Sequence, residues 1–137
     1  MPKKNSNRNA RSVGGKAEAL LLSQLSQSGY EARRTHLSAF PDIIAWKGKQ
    51  FLLIEVKART VNGELVNEAA VINNTLSAFR SDAKKLKESP ISNVLCFIRI
   101  QKPYHDYWRA YLWKDKQTRE VDIEAYIPSV VQKELIA

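Results

Sequence analysis

Residues 40–59 read FPDIIAWKGKQFLLIEVKAR and are the most informative segment of the chain. Asp42–Trp46 and Phe51–Val56 are rich in apolar and β-branched residues, and Lys47-Gly48-Lys49 supplies a turn between them. The unbroken apolar run of the second segment indicates a strand that is buried on both faces. The segment therefore predicts a β-hairpin at the centre of a sheet.

Charged residues interrupt this hairpin at its open end. Glu55 and Lys57 are two positions apart, so on a strand their side chains point to the same face. Folding the hairpin back places Asp42 roughly opposite Ile54 and Glu55, close enough for the two carboxylates to share one small cation. The alternative is that Glu55 and Lys57 form an ordinary ion pair at a strand end and that Asp42 is a turn residue. Their combination in one hairpin favours a metal site.

The available ligands favour a hard divalent cation at this site. Oxygen atoms from Asp42, Glu55 and either the Val56 carbonyl or Glu18 suit Mg²⁺, with Mn²⁺ able to substitute. One cysteine and two histidines in the whole chain argue against structural zinc. A metal held in this way polarises a phosphoryl oxygen and lowers the pKa of a bound water. We assign Lys57 mainly to orienting that water and stabilising phosphoryl charge, with general-base action as the alternative.

Length and composition indicate one soluble domain. The chain has 137 residues, of which 44% are hydrophobic, so it can bury a core without disulfides. It contains no apolar stretch near the roughly 20 residues that span a membrane, and it starts with polar and basic residues. We therefore expect a cytoplasmic protein with no membrane partner and no small-molecule cofactor. The single cysteine, Cys96, lies in an apolar run and is expected to be a buried thiol.

Positive charge is concentrated at the start of the chain. The formal net charge is +8, and the first acidic residue is Glu18. The segment 1–12 has too little apolar surface to fold and is expected to be a flexible basic arm, followed by a single folded domain at 13–137. Basic arms favour polyanions such as nucleic acid, although a merely solubilising role is the alternative. The candidate DNA-binding residues in it are Lys3, Lys4, Arg8 and Arg11.

The segments before the hairpin predict a helix and a strand. Apolar residues recur at helical spacing after Gly14-Gly15, and Gly29 is a good C-terminal stop. Glu18 on this helix lies either at a solvated rim or in the metal site. The first strand, Tyr30–Thr35, carries Arg33 and Arg34 on opposite faces, where one of them neutralises the carboxylates or binds a phosphate. Ser38 in the following loop is a further candidate phosphate contact.

The second half of the chain predicts the remaining helices and strands. Asn62-Gly63 is a strong hairpin signal, so Arg59 is expected on a protruding ribbon. A helix over Thr75–Glu88 has a buried apolar stripe and a basic face, which is either simply solvated or part of a DNA track through Arg80 and Lys84. Three strands and a last helix complete the prediction: Val94–Ile100, Trp108–Trp113, a short strand from Val121, and a helix from Pro128.

The order of these motifs resembles the PD-(D/E)XK nuclease superfamily and, within it, archaeal-type Holliday junction resolvases. In that family a helical glutamate precedes a Gly-Tyr/Phe strand with a following arginine, and then a Pro-Asp hairpin that ends in Glu-Val-Lys. The matching residues are Glu18, Gly29-Tyr30, Arg33 or Arg34, Pro41 to Ala45, and Glu55 to Lys57. The resemblance covers about Gly15 to Lys57 and is looser afterwards.

The resemblance implies an α/β fold with a central mixed sheet flanked by helices, as in restriction-endonuclease-like nuclease cores. It implies magnesium-dependent cleavage of DNA at four-way junctions by a homodimer, with Glu18, Asp42, Glu55 and Lys57 as catalytic residues. A dimer also suits the approximate two-fold symmetry of a four-way junction. Two alternatives are an endonuclease of restriction, repair or homing type and a non-catalytic nucleic-acid-binding protein.

Overall fold

The computed structural model describes residues 2–35, 40–61, 67–86, 92–103 and 105–127, with side chains from residue 15 onward. Nine helices and strands follow one another in these ranges: α1 Pro2–Gln27, β1 Glu31–Arg34, β2 Ile43–Lys47, β3 Gln50–Thr60, α2 Glu68–Ala83, β4 Ser92–Gln101, β5 Asp106–Lys114, β6 Gln117–Val121 and α3 Ile123–Tyr126. No helix in these ranges is long and apolar enough to cross a membrane.

The six strands form one mixed sheet in chain order, from β1 at one edge to β6 at the other. Neighbouring strands are antiparallel except β3 and β4, which run parallel and are connected through α2. A parallel pair requires such a crossover, because a tight turn can only reverse the chain. In this strand order, the parallel pair β3 and β4 lies at the centre of the sheet.

Helices α1 and α2 cover opposite faces of the sheet. Leu21 and Leu25 of α1 pack with Ile54 and Phe97 in one buried cluster. Phe79 of α2 belongs to a second buried cluster, whose other members include Leu76, Ile98, Ile100 and Trp113. The predicted α/β class, a mixed sheet flanked by helices, is confirmed.

The central hairpin is confirmed. Strands β2 and β3 pair from Ile43↔Ile54 to Lys47↔Gln50, and Gly48 in the turn has a φ of 59°. A left-handed conformation is the one that glycine adopts without a steric penalty. Strand β3 then runs on to Thr60, beyond the end of β2. Among the described residues, no strand lies beside its last residues on the β2 side, and this is where the charged residues lie.

Several predicted boundaries are wrong. Helix α1 begins at Pro2 rather than after Gly14-Gly15, because glycine weakens a helix by about 1 kcal/mol without forbidding it. Helix α2 begins at Glu68 rather than Thr75, and it is capped by Asn67. Strand β6 ends at Val121 instead of beginning there. A flexible arm at 1–12 stays a prediction.

Other sequence predictions lie outside the described residues. These are the Asn62-Gly63 turn, Ser38, the end of the predicted helix at Glu88 and the helix from Pro128. The strand Val94–Ile100 is confirmed within β4, and Trp108–Trp113 is confirmed within β5.

Candidate functional site

Asp42 and Glu55 face each other at the open end of the central hairpin. The last registered pair is Ile43↔Ile54, so the next residue on each side brings the two carboxyl groups together. The carboxyl groups are close enough for Asp42 to raise the pKa of Glu55 through hydrogen bonding and charge. Glu55 is only 5% exposed. The prediction that these two side chains meet is therefore correct.

This contact changes the protonation of the pair. The pKa of Glu55 is raised to about 8, first by burial and then by the hydrogen bonding and charge of Asp42, whereas Lys57 acts in the opposite direction. Two carboxylates in direct contact repel each other unless a proton or a cation lies between them. The pair therefore holds a proton near neutral pH and provides two anionic oxygens to any cation that displaces it.

Asp42 is held in place from two directions. Its Oδ2 accepts a 2.8 Å hydrogen bond from the backbone N–H of Val56. Its own carbonyl accepts a 2.9 Å hydrogen bond from the backbone N–H of Thr35. The N–H and C=O of one strand residue point to the same side, so the Val56 carbonyl is also directed toward Asp42. Asp42, Glu55 and this carbonyl provide three hard oxygen donors, which suit magnesium or manganese.

Lys57 lies beside the acidic pair. Its Nζ is 3.5 Å from Glu55 Oε2, and the side chain is 31% exposed. The strand alternation places Glu55 and Lys57 on the face that α2 covers, as the adjacent pair Glu55↔Cys96 also indicates, because Cys96 belongs to the α2-side cluster. A partly exposed ammonium group at this position is accessible to a ligand that approaches the pair.

Glu18 is near the pair but is tied to an arginine. Burial raises the pKa of Glu18, and the charge of Asp42 raises it further, whereas Arg34 and Lys57 lower it. The Glu18 Oε2 lies 3.4 Å from Arg34 Nε. In the described part of the chain, no group of three or more His, Cys, Asp or Glu side chains is arranged to hold one metal ion. Glu18 therefore lies beside the two-carboxylate site, paired with Arg34.

Some of the predicted DNA-binding arginines form hydrogen bonds within the protein, and one is simply exposed. Arg34 also donates to the Gly15 carbonyl at 3.1 Å, so it fastens β1 to α1. Arg33 is exposed on β1. Arg59 is not on a protruding ribbon, because it pairs with Ile100 of β4 and its Nε donates to Thr75 Oγ1 at 3.0 Å.

The remaining predicted contacts have different surroundings. Arg80 donates to Thr118 Oγ1 at 3.2 Å, and Lys84 is exposed at the C-terminal cap of α2. The side chains of Lys3, Lys4, Arg8 and Arg11 lie outside the described part of the structure, as does Ser38.

The sequence prediction missed a second charged cluster. Glu68 at the start of α2 forms ion pairs with Lys102 and Arg109, and Tyr107 donates its hydroxyl hydrogen to it. These residues come from three separate segments, so no local pattern could indicate the cluster. The one available signal was Asn67-Glu68, a capping residue followed by an acidic first-turn residue.

Comparison with solved structures finds chains that are similar to this one. The Holliday junction resolvase of Archaeoglobus fulgidus, an archaeal hyperthermophile, is 24% identical; the match covers 84% of this chain and 92% of that one, with a TM-score of 0.37. No protein-family model matches the chain, and no curated protein matches it. At this level of similarity, functional conclusions depend on the geometry of the site itself.

Proposed function

We propose that this protein is a divalent-metal-dependent endonuclease that cleaves DNA phosphodiesters, with branched DNA as its substrate. The observation that carries the proposal is the contact between the carboxyl groups of Asp42 and Glu55, with Lys57 Nζ 3.5 Å from Glu55. A buried pair of acidic groups is unfavourable on its own, because each carboxylate raises the free energy of ionising the other. Binding of a cation relieves this repulsion.

The residues have separate roles in the proposed reaction. Asp42, Glu55 and the Val56 carbonyl would hold Mg²⁺ or Mn²⁺, which supplies a polarised phosphoryl oxygen and an acidified water. Lys57 orients the attacking water and stabilises negative charge on the phosphoryl oxygens. Because Val56 N–H fixes one oxygen of Asp42, the carboxylate cannot rotate away. Glu18, tied to Arg34, adjusts the charge at the edge of the site.

The sequence motifs support the finer assignment to four-way junctions. The order of the helical glutamate, the Pro-Asp hairpin and Glu-Val-Lys is that of archaeal-type Holliday junction resolvases. Cleavage of a junction into two duplexes needs two paired cuts. A homodimer with two sites can make them, because the dimer and the junction both have two-fold symmetry. We therefore include a homodimer in the proposal.

A nicking assay with the Asp42→Asn variant tests this proposal. We expect cleavage to fall by about 100-fold or more, in line with losses of on the order of 10²–10³ when one electrostatic group at a reacting centre is removed. Junction binding should change little, because the substituted side chain keeps its size. A chelator should abolish cleavage by the unmodified protein, and Mn²⁺ should restore it.

The substrate arms of the assay separate the alternatives. A four-way junction and a linear duplex of the same sequence are compared under identical metal and salt conditions. Equal cleavage of both would identify a nuclease of a different specificity. Cleavage that persists in the Asp42→Asn variant or in chelator would overturn the metal-dependent mechanism, and binding without cleavage in any metal would identify a non-catalytic DNA-binding protein.

A further inference from the structure

The carboxylate of Glu68 is surrounded by donors of hydrogen bonds and positive charge. Lys102 Nζ lies 2.8 Å from its Oε1, Arg109 Nη2 lies 3.2 Å from its Oε2, and the hydroxyl of Tyr107 donates to Oε1. Burial raises the pKa of Glu68, but the hydrogen bonds and charges of Lys102 and Arg109 outweigh it and leave the pKa lowered. The carboxyl group is therefore anionic at neutral pH. An ammonium, a guanidinium and a hydroxyl around one anion are also the usual donors of a phosphate site.

The cluster lines an open cleft of about 650 Å³. The ring of Tyr107 is in contact with two cations, since Lys102 Nζ is 5.5 Å and Arg109 Cζ is 5.6 Å from its centroid. His105 stacks on the same ring at 5.5 Å with an interplanar angle of 21°. Stacked aromatic rings beside cations are typical of surfaces that bind single-stranded nucleic acid. The described residues that line the cleft are Glu68, Lys102, His105, Tyr107, Trp108, Arg109 and Glu120.

The cleft lies on the same face of the sheet as the acidic pair. Lys57 pairs with Ile98, and Ile98 pairs with Arg109, so the three residues form one row across β3, β4 and β5. Two strand spacings separate Lys57 from Arg109, which is roughly 10 Å between their backbones. This distance corresponds to about three nucleotide steps of a stacked strand. The acidic pair and the cleft are therefore near enough for one DNA strand to contact both, provided that it passes around α2, because Ile98 between them is fully buried.

We propose that Lys102, Tyr107 and Arg109 form a second phosphate-binding subsite for the DNA backbone. In the free protein the carboxylate of Glu68 takes the place of the phosphate, and a backbone phosphate displaces it. The identity of the ligand as DNA rests on the proposed function.

Displacement of Glu68 has a small free-energy change, because the subsite exchanges one anion for another. The side chains of Lys102, Arg109 and Glu68 are 32%, 33% and 22% exposed, so water already weakens their ion pairs. Arg109 stays oriented during the exchange, since its Nη1 is 2.7 Å from Glu120 Oε2. The donors are therefore in place before the phosphate arrives.

The test measures binding of a labelled five-nucleotide oligothymidylate in chelator by fluorescence anisotropy. We expect Glu68→Gln to tighten binding about fivefold, the size of one partly exposed charge interaction, and Lys102→Gln and Arg109→Gln to weaken it by a similar factor. Glu124→Gln, which removes one negative charge from an exposed position on α3, is the matched control and should leave the affinity within about twofold. Thermal unfolding of each variant confirms that it is folded before its affinity is compared.

The outcomes distinguish this proposal from the proposed nuclease function. An unchanged affinity in Glu68→Gln, or an increase that Glu124→Gln reproduces, overturns the subsite even if the protein cleaves DNA. Tighter binding in Glu68→Gln alone, together with weaker binding in the two cation variants, supports the subsite even if no cleavage is found. Because the assay contains no free metal, its result does not depend on catalysis.

Discussion

Glu55 is a carboxyl group at a position where most proteins would have an apolar residue. It is buried in β3, in contact with Asp42, and its pKa is raised to about 8, first by burial. Because the pKa of Glu55 is higher in the folded protein than in the unfolded chain, the protein is more stable with Glu55 protonated than with it ionised. Glu55 therefore lowers the stability of the metal-free protein at alkaline pH. This cost is removed if a cation replaces the proton in the metal-bound protein.

This protonation gives a prediction for stability against pH. The folded pKa of about 8 lies above the ordinary value of 4.5, so folding takes up a proton between these values and stability falls as pH rises through this window. Glu55→Gln should therefore become more stable relative to the unmodified protein between pH 5 and pH 9, and urea unfolding in chelator measures this. Mg²⁺ or Mn²⁺ should raise the free energy of unfolding of the unmodified protein at about pH 9 and leave that of the variant unchanged.

The control for this prediction is Glu124→Gln, whose side chain is exposed. The free energy of unfolding of Glu124→Gln should differ from that of the unmodified protein by the same amount at every pH between 5 and 9. If the curves of Glu55→Gln and the unmodified protein stay parallel between pH 5 and pH 9, Glu55 is ionised in the folded protein and the paired-proton account is wrong.

Cys96 of β4 pairs with Glu55 of β3, so the reactivity of its thiol provides a separate check on the burial of this part of the sheet. The pKa of its thiol is raised to about 12, first by burial and then by the charge of Glu55. A thiol reagent at pH 8 should thus modify the folded protein at least about 100-fold more slowly than the unfolded one, since reaction requires opening of the core. Measurement of the rate with and without urea tests this, and fast modification of the folded chain would show that the β3–β4 core is accessible.

At the level of elements, apolar patterns predicted strands well and boundaries poorly. Strands β3 and β4 were predicted because their burial is visible as apolar runs, and β5 because large and small residues alternate along Trp108–Trp113. Strand β6 was misplaced because its residues are mostly exposed, with no alternation, and the turn before it uses Asp115 and Lys116, both with positive φ, in place of a glycine. The start of α2 was missed because its first turns bury little besides Ile72.

The corrected start of α2 is testable by removal of its cap. The side chain of Asn67 accepts a 3.0 Å hydrogen bond from Ala69 N, so Asn67→Ala should reduce the free energy of unfolding by about 1 kcal/mol. Asn74→Ala, at an exposed position within the helix, should be neutral or stabilising by up to about 0.7 kcal/mol. Chemical denaturation measures both. A neutral Asn67→Ala would instead favour a helix that begins near Thr75.

For the molecule as a whole, the acidic pair could be predicted and the cleft could not. Asp42, Glu55 and Lys57 belong to one hairpin, whose turn and alternation fix their positions locally. Glu68 and Arg109 are 41 residues apart and meet only because α2 crosses over to a sheet whose order is set by long-range pairing. Contacts of this kind require the complete topology, which a single sequence leaves open.

The charge of the whole molecule gives the last prediction, which concerns the basic N-terminal segment. Deletion of residues 1–11 removes Lys3, Lys4, Arg8 and Arg11, while Leu21 and Leu25 keep the rest of α1 in the core. If all four side chains neutralise phosphates, the slope of log affinity against log salt should become less negative by up to about 3.6, that is about 0.9 for each contact on duplex DNA. The cleavage rate at saturating DNA and magnesium should not change, because the acidic pair is untouched. Titrations between about 50 and 200 mM salt measure the slope, and thermal unfolding confirms that the truncated chain folds. An unchanged slope would show that these charges make no phosphate contacts, which is the solubilising alternative.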